Sequence, residues 1–292
     1  NLIMTATHDY LMFFTNTGKA HKIKAYEIPE ATRTAKGTPV VNFLSLMQRE
    51  RVTAVIPIKE FADDKYLIAV TKDGIIKKTA LSNFDTNRKT GLIAMNLKEG
   101  DELIGIKQTT GTNNVIIVTK QGKCICFSED DVRPMGRIAG GVRAIKLDKD
   151  DEVVAMELVE PNQELLVVTK KGFGKRTKAS DYKIQVRGGK GLLTYDKAKF
   201  KKTGELVGAM VVDEEDDVLL INSSGVIIRI PAKEISKLGR ATQGVKIMNV
   251  GEDVNIIALA KVIKEDELEA EGDGEKDEKA SQEDDGQEQM KL

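Results

Sequence analysis

The 292-residue chain has no tryptophan, and Phe and Tyr together make up only 4% of it. Single-stranded nucleic acid is held largely by stacking bases on aromatic side chains, so that mode of binding has little support here. Cysteine is scarce too. Cys124 and Cys126 lie two apart in what reads as one strand, where their side chains share a face but are too close along the chain to bridge easily. Without a second cysteine pair or a histidine cluster, a zinc site is not expected, and both thiols read as reduced residues of a cytoplasmic protein. The two histidines, His8 and His21, are too few and too unsupported for acid–base work. A Walker-type Gly-Lys-Ser/Thr loop and a Ser/His/Asp arrangement are both missing, so no catalytic centre is expected. No apolar run approaches the ~20 residues of a membrane span, and no signal peptide is visible.

Charge is abundant but segregated. Residues 264–292 carry 13 Asp/Glu against 4 Lys/Arg, which leaves 41 Lys/Arg and 33 Asp/Glu in residues 1–263. The body is basic and the tail acidic, which points to a polyanionic partner for the body. The tail has no aromatics and cannot bury a core, so residues 264–292 are expected to be disordered and to compete with that partner. The expected division is therefore 1–263 as the folded domain and 264–292 as the tail.

The body reads as a repeat. A four-residue apolar run appears five times, at residues 11–14, 67–70, 115–118, 165–168 and 218–221. Thr or Asn follows each run, and three residues later comes Gly18, Gly74, Gly122, Gly172 or Gly225. Asp73-Gly74 is a strong hairpin signal, and the others fit related tight turns. A second glycine follows at Gly37, Gly91, Gly141, Gly191 and Gly244, with Arg33, Arg88, Arg137, Arg187 or Arg240 three or four residues ahead of it. An apolar strand, an acidic turn such as Asp101-Glu102 and another apolar strand complete the unit. Val, Ile and Leu dominate the runs and helical periodicity is absent, so the reading is all-β, with about four strands per ~50 residues, the size of a propeller blade. Residues 1–7 resemble the last strand of a repeat, so five full repeats preceded by the remnant of a sixth are expected.

One stretch concentrates the chemistry: Gln185-Val186-Arg187-Gly188-Gly189-Lys190-Gly191. Three glycines in four residues let backbone approach another surface closely, and Arg187 and Lys190 add two positive charges to that turn. A phosphate backbone suits the combination. The same position in other repeats supplies Arg33, Lys36, Arg88, Lys89, Arg137 and Arg240. Strand residues after the hairpin turns (Lys22, Lys24, Lys77, Lys78, Lys175, Arg176 and Arg229) could extend the stripe.

Several motifs together resemble the C-terminal domain of the DNA gyrase A protein. They are Thr7-His8-Asp9-Tyr10-Leu11, Tyr26-Glu27-Ile28-Pro29-Glu30-Ala31, Asp131-Val132-Arg133-Pro134-Met135-Gly136-Arg137, Gly174-Lys175-Arg176-Thr177 and Gly239-Arg240-Ala241-Thr242-Gln243-Gly244-Val245. The heptad at Gln185 resembles the gyrase A box of a later blade, with Val186 where the family pattern has a basic residue. The resemblance implies a six-bladed β-pinwheel whose blades exchange strands and whose basic rim wraps duplex DNA. It also implies a non-catalytic role within gyrase, alongside the rest of gyrase A and its partner protein gyrase B, with ATP and magnesium used elsewhere and no cofactor in this domain. The alternatives are the equivalent domain of topoisomerase IV, a propeller that binds protein at its central channel and, least supported, an enzyme built on a propeller.

Overall fold

The computed structural model describes residues 3, 5–32, 34–88 and 91–262. Each apolar run forms the first strand of a hairpin, and the glycine three residues past it turns the chain at φ between +74° and +82°. The Thr or Asn before the turn closes it. Thr71, Thr119 and Thr169 accept through Oγ1 from the backbone N–H four residues on (3.2 Å each), and Asn222 accepts through Oδ1 (3.0 Å).

The first repeat supplies β1 (Tyr10–Thr15), β2 (Lys19–Lys24) and β3 (Val52–Ile58). The second supplies β4 (Tyr66–Thr71), β5 (Ile75–Ala80), the short β6 (Leu92–Ile93) and β7 (Leu103–Thr109). The third supplies β8 (Asn114–Thr119), β9 (Lys123–Ser128), β10 (Val142–Arg143) and β11 (Val153–Val159). In the fourth come β12 (Glu164–Thr169), β13 (Phe173–Lys178), β14 (Leu192–Leu193) and β15 (Leu206–Val212). The fifth adds β16 (Asp217–Asn222), β17 (Ile227–Pro231), β18 (Val245–Lys246) and β19 (Ile256–Val262).

The sheets do not coincide with the repeats. Their orders are β3-β1-β2-β6, β7-β4-β5-β10, β11-β8-β9-β14, β15-β12-β13-β18 and β17-β16-β19. The short strand of each repeat thus pairs with the hairpin of the repeat before it. Strand exchange explains the hairpin glycines. A Cβ on Gly18 would lie 2.4 Å from the Met95 carbonyl oxygen, and one on Gly172 would lie 2.1 Å from that of Met248.

The expected count of six blades is corrected to five. A blade needs its own hairpin, and the described residues form five of them, with none among those described ahead of β1. Asn1, Leu2 and Met4 lie outside the described residues, while Ile3 and Thr5 belong to no strand, and Ile3 packs on the outer face of the first sheet. The first sheet, β3-β1-β2-β6, has its full four strands, so the truncated blade expected ahead of it is not part of this fold as described.

Hydrophobic clusters fill the spaces between successive sheets, which is why the first hairpin strands are apolar on both faces. Met12 and Phe14 face the second sheet with Ile58, Leu67 and Phe84, whereas Leu11 and Phe13 face Leu44 on the other side. The inner strands β3, β7, β11, β15 and β19 line a central cavity of about 340 Å³, with Ala54, Ile106, Ala155, Ala209 and Ala258 on its wall. The acidic turns tie neighbouring blades. Glu152 pairs with Lys72 and Lys120 (3.1 Å each), and Glu205 pairs with Lys170 (2.9 Å) and Lys120 (3.7 Å). Among the described residues no helix is long and apolar enough to cross a membrane.

Candidate nucleic-acid interface

After each hairpin a single 3-10 turn, at Glu129–Asp131, Ala179–Asp181 and Ala232–Glu234, redirects the chain against the outer strand of the preceding sheet. Parallel bridges join Lys78 to Pro134, Cys126 to Ile184 and Arg176 to Lys237. The arginine loop follows, at the rim and opposite the inner strands. It ends on the second glycine, at φ +83° for Gly141, +71° for Gly191 and +75° for Gly244. A Cβ there would sit 2.5–2.6 Å from the carbonyl oxygens of Ile76, Cys124 and Gly174 respectively. Only glycine combines that torsion with that approach.

The heptad lies in one such loop. Gln185 N–H donates to the Cys126 carbonyl (2.7 Å) and Gly188 N–H to that of Ala144 (2.7 Å), while Gly189 carbonyl accepts from Lys146 N–H (2.8 Å). Lys190 is exposed. Arg187 is half-buried, and its guanidinium donates to the backbone carbonyls of Asp131 (3.2 Å) and Arg143. Much of that side chain is committed to holding the loop. Arg137 and Arg240 are half-buried at the same place in their own loops, and Arg88 and Lys36 are exposed. Arg33 and Lys89 lie outside the described residues, as does the tail at 264–292.

The strand cations are a correction. Lys22, Lys77, Lys78, Lys175 and Arg176 are all buried, none more than 4% exposed, so they cannot extend a surface stripe. Their charge is spent inside. Lys22 donates to the Thr86 carbonyl (2.8 Å) and Lys78 to that of Glu129 (3.1 Å). Arg176 donates to the Glu164 carboxylate (2.6 Å) and to the Ile235 carbonyl (2.8 Å). Lys24 donates to the His8 carbonyl (2.6 Å), and Arg229, exposed, is held by Asp217 (2.5 Å). Sequence reasoning also missed two candidates. Arg133 and Lys183 are exposed, each four residues before a loop arginine, and that recurrence was a signal available in the chain.

Lys77 and Lys175 occupy the third position after their hairpin glycine. Lys77 Nζ donates to the carbonyls of Ala94 (2.5 Å), Gly136 (3.2 Å) and Arg137. Lys175 Nζ donates to those of Gly239 (2.6 Å) and Arg240 and to the Thr242 hydroxyl (3.1 Å). Burial, aided by repulsion from Arg137 or Arg240, pushes each ammonium down to about 8. A lysine lowered in this way is charged in both folded and unfolded states below that value, where its burial costs stability in full. From about 8 to the ordinary lysine value of ~10.4, the folded protein has lost the proton while the unfolded chain keeps it, so stability rises with pH. Wild type should therefore gain melting temperature relative to a Lys77→Met/Lys175→Met variant between pH ~7 and ~10. A gap independent of pH would show that the amines are not desolvated.

A loop of one design, repeated on successive outer strands, defines a family. The family described as DNA gyrase C-terminal domain, beta-propeller, matches five times, over residues 9–59, 65–110, 113–160, 163–213 and 216–263. The chain belongs to this gyrase C-terminal domain family. The DNA gyrase A protein of Clostridium acetobutylicum is 47% identical over 266 residues, 91% of this chain and 32% of that protein. Its counterpart in Mycolicibacterium smegmatis is 42% identical over 271 residues, again 91% of this chain and 32% of the relative. The chain thus spans about a third of the length of the gyrase proteins it matches. Among solved structures, the C-terminal domain of DNA topoisomerase IV superposes with a TM-score of 0.85 at 26% identity, over 91% of this chain and 83% of that one. The gyrase A C-terminal domain superposes at 0.76 and 30% identity, over 89% and 84%. The five matched segments correspond to the five sheets described above.

Proposed function

We propose that this domain binds duplex DNA along its rim and bends it, as a non-catalytic part of a gyrase. The observation that carries the reading is the glycine–arginine loop at one rim position in successive blades. DNA carries one negative charge per ~1.7 Å of axis, so a row of cations gains affinity by releasing counterions. The contacts are Lys36, Arg88, Arg137, Lys190 and Arg240, flanked by Arg133 and Lys183, with the backbone of Gln185, Gly188, Gly189 and Gly191 offering close approach. Arg33 and Lys89 join them by their place in the repeat. Bending a short duplex by 40–90° costs about 1–6 kcal/mol, which several phosphate contacts per blade must offset. Such contacts read backbone and shape with little sequence preference. In the whole enzyme, bent DNA sets the handedness of the crossing presented for strand passage, and ATP-driven negative supercoiling follows. The rest of gyrase A, together with gyrase B, supplies the cleavage and ATP chemistry, and this domain needs no cofactor.

The equivalent role in topoisomerase IV is the second reading, favoured by the closer backbone superposition on that domain. A protein ligand at the central channel is disfavoured, because alanines and aliphatic residues line it and its Lys107–Glu157 pair (2.5 Å) neutralises itself.

The test is an Arg137→Ala/Lys190→Ala/Arg240→Ala variant titrated with duplex DNA across salt. Losing three phosphate contacts should flatten the slope of log affinity against log salt by about 3. An unchanged slope would remove these loops from the interface.

A further inference from the structure

We infer that Lys77 and Lys175 are positioning residues for the rim: each buried ammonium fixes the backbone of the next repeat's arginine loop and leaves that arginine's guanidinium available to a polyanion. The inference rests on the DNA-binding reading above and names what orients its side chains.

The third position after the hairpin glycine is His21, Lys77, Ile125, Lys175 and Ile228 in the five repeats. Isoleucine fills it twice, so packing alone does not require a cation there. A buried ammonium without a carboxylate is costly. The charged group facing Lys77 is Arg137, and Arg240 faces Lys175, with the Tyr195 ring 5.9 Å from its Nζ. Both charged neighbours repel. What holds each ammonium is a set of three oxygens, two of them the carbonyls of the Gly-Arg pair of the following loop.

The loop over Ile125 is built differently. Ile125 lies under the heptad, with its Cδ1 3.7 Å from the Cβ position of Gly189. There the loop's own arginine does the anchoring, through the bonds from Arg187 to Asp131 and Arg143. In the lysine-anchored loops the arginine is spared. Among the described residues Arg137 makes one long contact, to the Ile93 carbonyl at 3.5 Å, and the Arg240 guanidinium has no hydrogen-bond partner. Each of these three loops therefore has one cationic anchor and presents another cation outward. The anchor and the presented charge are Lys77 and Arg137, Arg187 and Lys190, or Lys175 and Arg240.

The experiment compares wild type with Lys77→Met, Lys175→Met and the control Ile125→Met. Backbone amide exchange is read in loops 136–141 and 239–244, and duplex DNA of mixed sequence is titrated across salt well below the melting temperature. Lys175→Met should speed exchange about tenfold or more in 239–244 and leave 136–141 unchanged, and Lys77→Met should do the reverse. Each should also flatten the salt slope by about 1, as though the arginine itself were lost. Ile125→Met should change neither readout. Should a Met variant fail to fold, Lys→Gln at the same site keeps two N–H donors and should give exchange intermediate between wild type and an unanchored loop. Unchanged exchange would overturn the anchoring, and faster exchange with an unchanged slope would overturn the positioning. Wild type without salt-dependent DNA binding would overturn the rim reading and the positioning with it, while the exchange data would still report whether the lysines hold the loops.

Discussion

Replacing Gly172 with valine should detach the fifth repeat from the fourth sheet. The new Cβ would lie 2.1 Å from the Met248 carbonyl oxygen at a backbone φ of +77°. The torsion alone costs a side chain roughly 1–2 kcal/mol, more when it is β-branched. The clash adds to this, because Met248 N–H donates back to the Gly172 carbonyl at 3.1 Å and cannot retreat without losing that bond. Gly225→Val carries the torsion alone, since Gly225 has φ +82° but nothing within 4 Å of its Cβ position, so the difference between the two variants isolates the clash. In urea unfolding the Gly172 variant should lose at least ~2 kcal/mol more than the Gly225 variant. Equal losses would mean that the exchanged strand contributes nothing to holding the blades together.

The second large effect is at Glu164. Its carboxylate accepts from Arg176 at 2.6 Å and also from Lys237, with the Glu164 and Arg176 side chains 7% and 5% exposed. Glu164→Leu strands a buried guanidinium, a change that typically costs about 3–5 kcal/mol. The Glu164→Leu/Arg176→Met double variant removes both charges and should be less destabilised than the sum of the single changes. The same double variant should keep the wild-type salt slope for DNA, because Arg176 is occupied by Glu164, Ile235 and Lys233. A slope lower by about 1 would return Arg176 to the interface.

Why Arg176 and Lys175 misled a reading of the chain is a matter of distance. A lysine or arginine just past a hairpin turn looks the same whether it faces water or a set of carbonyls, and the Lys175 acceptors lie 64 to 67 residues away. The features that were legible depend on local chemistry. Gly74 and Gly172 signal a positive φ, Thr71 and Thr169 sit where a turn needs an acceptor, and Asp101 and Asp151 cap that turn by accepting from the backbone N–H of Asp73 (3.0 Å) and Gln121 (2.9 Å). The arginine loops were visible because they recur. Pairs such as Leu92-Ile93 or Val245-Lys246 are too short to show any periodicity, so the exchange of strands followed from the family resemblance alone. The surplus blade arose from residues 1–7, whose sequence resembles the last strand of a repeat, although the described residues among them belong to no strand.

Strand exchange also gives synthesis a direction. The first sheet is closed by β6, which leaves the ribosome after β1, β2 and β3 have already emerged. With roughly 70 residues between Lys24 and Leu92, translation at ~5–20 residues per second leaves the β2 edge open for roughly 3–14 seconds. The second, third and fourth sheets wait in the same way for β10, β14 and β18. Each new hairpin emerges before the short strand that closes the sheet ahead of it, so the open edge moves along with elongation and two edges are briefly open together. An exposed strand edge is where chains pair with the wrong partner. The hazard is confined to the most recently made sheets, and the first four are each sealed by the repeat that follows.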